Sequence, residues 1–160
     1  MTDEAFTQGI LAMRQTLYRV SYGLLRNEQD RRDAVQEAIT RAWEKRQTLR
    51  DDQYLKTWVI RILINECHTQ LRRQRHSHPM DALAESPAPP DADPTLHDAV
   101  LALQEQFRLP IMLHYMEGYS LREIADMLRI PLGTVGTRLH RGRLQLRGAL
   151  GEEEGGDAHG

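Results

Sequence analysis

A single cysteine, Cys67, stands in the 160 residues, so no disulfide can close within the chain. One thiol cannot build a cysteine-rich zinc site either. His68, His76 and His78 lie near it. The simpler reading makes Cys67 a small buried hydrophobe and puts the histidines on the solvated basic end of a helix, so no metal is expected. No apolar run approaches the roughly 18 residues that a membrane span requires. The start, MTDEAFTQG, lacks the basic head and apolar core of a secretory signal, and a cytoplasmic protein is expected. A glycine-rich phosphate loop is missing, which removes the usual mark of a nucleotide enzyme. His114 and Glu117 are read as surface residues, and neither a catalytic group nor a cofactor is expected. No stretch alternates apolar and polar residues for long, so no sheet is expected.

The charge present is segregated. The formal net charge is −2, yet from Arg129 to Arg147 there are five arginines and no acid. From Arg61 to His78 there are four arginines against Glu66 alone. Met80 to Phe107 holds six acids and no Lys or Arg, and four more acids follow Leu150. Two basic patches set apart by acidic stretches suit a nucleic-acid binder with two contact sites.

Five of the seven prolines fall in HPMDALAESPAPPDADP, His78 to Pro94. Proline removes amide donors and the small polar residues there bury little, which predicts an extended acidic linker at 78–94. It separates an N-terminal unit, 1–77, from a C-terminal unit, 95–150, and leaves 151–160 as a disordered acidic tail. The expected fold is all-α: two small helical domains, the second a four-helix domain containing a helix-turn-helix.

In the first unit Phe6, Ile10, Met13, Leu17 and Leu24 keep the three-and-four spacing of one helix face. Asp30 is expected to cap a second helix with apolar face Val35, Ala38, Ile39, Ala42 and Trp43. Leu55, Trp58, Val59, Ile62, Leu63 and Cys67 mark a third, running out into LRRQRHSH. In the second unit Thr95 is the expected cap of the first helix. Pro110 should lie near the start of the next helix and Gly118 at its end.

SLREIADMLRIPLGTVGTRLHRGRLQL, Ser120 to Leu146, then reads as two short helices around a tight turn. Ser120 and Glu123 form a capping box. Leu121, Ile124, Leu128, Ile130, Val135 and Leu139 supply a shared core, and Ala125 is small where the helices meet. Such a pair sets its second helix in the major groove, where arginine forks meet guanine edges or phosphates. Arg138, Arg141 and Arg143 lie on that helix. Gly136 and Gly142 present no side chain near the DNA-facing surface and each costs about 1 kcal/mol relative to alanine. Specific binding by so small an interface alone would be weak.

Two segments together resemble the bacterial sigma-70 family of RNA polymerase initiation factors, in its short extracytoplasmic-function group. DRRDAVQEAITRAWEK…YLKTWVIRILINECHTQLRRQR, residues 30–75, is similar to the family's region 2, and GYSLREIADMLRIPLGTVGTRLHRGRLQL, residues 118–146, to its region 4. The resemblance implies that Asp33, Gln36, Glu37 and Arg41 bind core RNA polymerase. It implies that Asn65 takes a flipped base of the −10 promoter element, with Lys56, Arg61, Arg72 and Arg73 on phosphates. Trp58 is read as a core residue and not as a stacking platform for bases. Thr137, Arg138, His140 and Arg141 would read the −35 element. Many relatives have Lys or Arg where this chain has Gly136, which should weaken or alter −35 preference. The implied partners are core polymerase, promoter DNA and an anti-sigma factor, which is often membrane-bound, with the chain a monomer when free of them. The competing reading is a stand-alone dimeric helix-turn-helix repressor or activator, which would bind duplex DNA without polymerase.

Overall fold

The computed structural model describes residues 1–77 and 94–151, apart from the side chains of His76, Ser77, Pro94, Thr95 and His97. Every regular element among them is helical. The chain divides into two compact units, Met1–Ser86 and Pro87–Gly160, each taken by itself below. The expected linker and acidic tail lie outside the described residues, save for Pro94 and Gly151. So does His78.

The first unit opens with α1 (Asp3–Ala12), whose N-cap Thr2 accepts from the Ala5 amide, followed by α2 (Arg14–Tyr22). The single helix expected from Phe6 to Leu24 is therefore two. Met13, at φ −104° and ψ 9°, leaves the helical region, yet its carbonyl still accepts from Leu17 and the apolar face continues across the break. α3 (Glu28–Glu44) is capped by Asn27, not Asp30: the Asn27 side chain accepts from the Asp30 amide at 3.1 Å. Asp30 lies in the first turn, where its charge complements the helix dipole. Two 3₁₀ turns, Arg46–Thr48 and Asp52–Tyr54, lead into α4 (Leu55–Ser77).

Ala34, Ala38 and Ala42 recur every four residues on α3 and are fully buried. With only a methyl group at each turn, α3 presents a shallow stripe against which α4 packs closely. From α4, Val59, Ile60, Leu63, Ile64 and Cys67 are buried at 0–1% exposure and fill the core against it. The buried stripe of α4 is thus rotated from the expected one, taking in Ile60 and Ile64 and leaving Trp58 and Ile62 at intermediate exposure. Trp43, expected in the α3 face, is 38% exposed; it meets Phe6 edge-on at 5.4 Å and lies under the Arg46 guanidinium.

The second unit begins with α5 (Pro94–Ala102), so Thr95 is inside the helix and does not cap it. Proline at a first helical position loses nothing, since that amide has no intrahelical partner. α6 (Glu105–Ile111) runs directly into a π-turn, Met112–Met116. Pro110 lies near the end of α6, not near its start. Gly118 follows the π-turn at φ +80°, a conformation glycine adopts without strain. α7 (Leu121–Leu128) and α8 (Leu132–Ala149) complete the unit, with Ile124, Val135 and Leu139 buried between them.

Candidate functional site

The α7–α8 pair is built as its sequence requires. Ser120 Oγ accepts from the Glu123 amide at 3.1 Å and Glu123 Oε1 accepts from the Ser120 amide at 2.8 Å, a reciprocal box that fixes the start of α7. Arg129 ends it in the left-handed conformation, φ 58° and ψ 47°, and the Ile130 amide donates back to the Ala125 carbonyl. Pro131 then starts α8, its carbonyl taking the Thr134 and Val135 amides.

Along α8 the residues Thr134, Thr137, Arg138 and Arg141 fall within about 100° of one another, opposite buried Leu139, with buried Val135 and Gly142 at the edge of this face beside Arg138. They line a groove of about 510 Å³ whose other wall is Gln106 and Phe107 of α6. His140 is exposed but about 100° around the helix from Arg141. Three of the four residues expected to read the −35 element therefore share one face and His140 flanks it. Arg143 turns elsewhere, donating to the Tyr115 hydroxyl at 2.8 Å. Thr134 was legible in retrospect, four residues before Arg138. Gln106 was not, since only the packing of α6 brings it there.

The two glycines of α8 differ. A Cβ on Gly142 would meet Ile111 Cγ1 at 2.9 Å and Phe107 Cβ at 3.4 Å, so this glycine exists for the close approach of α6 and α8. A Cβ on Gly136 would touch only Leu121 Cδ2, at 4.0 Å.

On α4 a second polar face lies opposite the core. Arg61, Asn65 and Arg72 follow four- and seven-residue spacings, and Trp58 falls on the same stripe. Asn65 is exposed, and Thr69 ties the stripe together: its hydroxyl donates to the Asn65 carbonyl at 2.9 Å and accepts from Arg72 Nη2 at 3.2 Å. Thr69 carries no local signal that marks it as part of this face. Lys56 is exposed in the first turn of α4 on another face, and Arg73 is exposed one residue around from Arg72. Burial pushes the Cys67 thiol up to about 12, with the neighbouring Glu66 charge adding to the shift, so it is an inert core residue.

On α3, Asp33, Gln36 and Glu37 are all exposed, away from the alanine stripe. Asp33 accepts from Gln29 at 2.9 Å. Arg41 differs from them. Its Nη2 lies 3.5 Å from Glu37 Oε1 and its Nε donates to Glu66 Oε2 of α4 at 3.2 Å.

Two family models match this chain: Sigma-70 region 2 over residues 10–77 and Sigma-70, region 4 over residues 95–146. The ECF RNA polymerase sigma factor SigW of Bacillus subtilis (strain 168) is 30% identical, over 92% of this chain and 90% of the relative. The chain belongs to the sigma-70 family. It is a sigma factor of the extracytoplasmic-function type: a non-enzymatic subunit that binds core RNA polymerase and promoter DNA and initiates transcription at specific promoters. SigM of Mycobacterium tuberculosis (strain H37Rv) is likewise 30% identical, over 92% of this chain and 78% of its own. Among solved structures, the sigma factor RpoE in complex with the anti-sigma factor NepR, from Bartonella quintana, matches at TM-score 0.80 and 27% identity, over 91% of this chain and 96% of that one. CnrH, solved in complex with the cytosolic domain of CnrY, shares the fold at TM-score 0.69 and 22% identity, over 96% of this chain and 92% of that one. No described helix of this sigma factor is long and apolar enough to cross a membrane.

Proposed function

We propose that this sigma factor divides its work between its units: 1–77 docks on polymerase through α3 and reads the −10 element through α4, and 95–150 reads the −35 element through α8. The observation that carries the reading is the Asn65 stripe. An exposed amide, able to donate and accept toward the edge of an unpaired base, stands between Arg61 and Arg72 on one helix face. Asp33, Gln36 and Glu37 face outward on a different helix, so polymerase and DNA need not compete for them. Thr137, Arg138 and Arg141 around the α6–α8 groove hold phosphates and base edges of the −35 duplex, and His140 extends the contact. Each interface is small, and polymerase supplies the affinity that neither has by itself.

The chain works in the cytoplasm, where polymerase is, as a monomer when free of partners. It is held inactive by an anti-sigma protein, as its relative from Bartonella quintana was captured with one. The test is gel-filtration co-elution with bacterial core RNA polymerase, for wild type and for Gln36→Ala with Glu37→Ala. Co-elution of wild type that the double variant loses is the expected result. Asn65→Ala should then co-elute normally and fail to open a promoter. A chain that ignores polymerase and shifts duplex DNA as a dimer would overturn the reading in favour of a stand-alone repressor.

A further inference from the structure

The resemblance groups Arg41 with its α3 neighbours on polymerase; its half-exposed guanidinium also bridges Glu37 and Glu66 within the unit. Glu66, its partner at 3.2 Å, has a side chain only 11% exposed and sits next to Asn65. Two more polar contacts continue along the same edge of the helix pair. Gln74 donates to Asp30 at 2.5 Å, and the Gln70 side-chain amide lies within 3.2 Å of both the Asp30 carbonyl and the Ala34 amide, which a swap of its oxygen and nitrogen would turn into two hydrogen bonds. Glu66, Gln70 and Gln74 are spaced by four residues, so they form one ladder down α4. The apolar seam of α3, Ala34, Val35, Ala38 and Ala42, supplies close packing but no directional contact. A ladder of directional contacts is what fixes its register.

We propose that Glu66, through Arg41, is a positioning residue for promoter melting: it fixes α4 on α3 so that Asn65 meets its base while Gln36 and Glu37 stay on polymerase. A hydrogen bond to a base edge tolerates displacement of only a fraction of an ångström, so a loosened α4 costs melting before it costs docking. Arg41 then acts on polymerase only indirectly, by holding Glu37 beside it. The inference rests on the proposed division of labour within unit 1–77.

The experiment uses reconstituted holoenzyme carrying Glu66→Ala or Glu66→Gln, with Asn65→Ala and the Gln36→Ala, Glu37→Ala pair as controls. Core-polymerase affinity and permanganate reactivity of promoter thymines are both measured. Glu66→Ala is expected to bind core within twofold of wild type and to open promoters about tenfold less. Glu66→Gln keeps an acceptor for Arg41 Nε and should fall by about threefold at most, a rescue that a role for charge alone would not give. If Glu66→Ala does not fold, Glu66→Gln carries the test, with a two- to threefold loss of melting at unchanged core affinity as the expected result. Melting equal to wild type overturns the proposal. Melting and core affinity falling together also overturn it, leaving a purely structural bridge. If instead Asn65→Ala melts promoters normally, the assignment of the α4 stripe has failed, and that outcome is read from the control and not from Glu66.

Discussion

Gly136 and Gly142 look alike in the sequence, two helix-weakening residues six apart on α8, and the structure gives them different reasons. Gly142 is buried against Ile111 and Phe107, where any side chain forces α6 away, so the cost in helix propensity is offset by a closer helix contact. Gly136 has room for a side chain on the flank where His140 stands, four residues on. Gly136→Arg should therefore be accepted by the fold and should gain about 1 kcal/mol of helix propensity. Holoenzyme carrying it should bind −35 duplex several-fold tighter at low salt, with the slope of log K against log salt steeper by about one unit. An unchanged slope would show that position 136 faces away from phosphate. Arg41 and Arg143 teach the complementary lesson. Both are arginines on helices that carry proposed binding residues, and each has an internal partner, Glu66 and Tyr115.

At the scale of the element, the local signals at helix ends proved more reliable where two residues agree than where one acts alone. The Ser120–Glu123 box needs both partners at fixed spacing, and it is present as read. Asp30 and Thr95, each taken as a cap on residue type alone, both lie inside their helices, because Asn27 and Pro94 upstream compete for the start. Ser120→Ala should remove the hydrogen bond to the Glu123 amide and cost about 1 kcal/mol, and Ser120→Thr should restore most of it. Thermal unfolding checks the stability. Equal melting temperatures for Ser120→Ala and wild type would mean that packing of α7 alone sets its start. Proline reads as a start signal, whereas here Pro110 lies inside α6, two residues before a π-turn closed by the Glu117 amide on the Met112 carbonyl.

For the molecule as a whole, one buried group links the core to pH. The Cys67 pKa is raised from 9.0 to about 12, first by burial and second by the Glu66 charge. Because the folded value lies above the unfolded one, the folded state holds a proton that the unfolded chain releases. The associated stability is present in full below about pH 9 and is lost as the pH climbs toward 12. Urea unfolding between pH 8 and 11 should show a steeper loss for wild type than for Cys67→Ala, in which the titrating group is gone while tyrosines and lysines still titrate. Parallel curves would place the thiol in contact with water. Nucleic-acid binding was visible in the charge pattern despite a net charge of −2, because what a phosphate meets is the local field within about 10 Å and not the sum over the chain.

The sequence by itself determined the all-α class, the helix-turn-helix with its cap, and the family. These depend on periodicity, on residues a few positions apart, and on motifs whose spacing is set along the chain. It also put Asn65 and Arg141 on exposed faces, since a helix turns the same angle wherever it is packed. Tertiary structure alone decided which residues from elsewhere those faces gather: Gln106 across the α8 groove, Glu66 holding Arg41, and Ile111 against Gly142. Those partners are 25 or more residues apart, and nothing local to either member sets the distance between them.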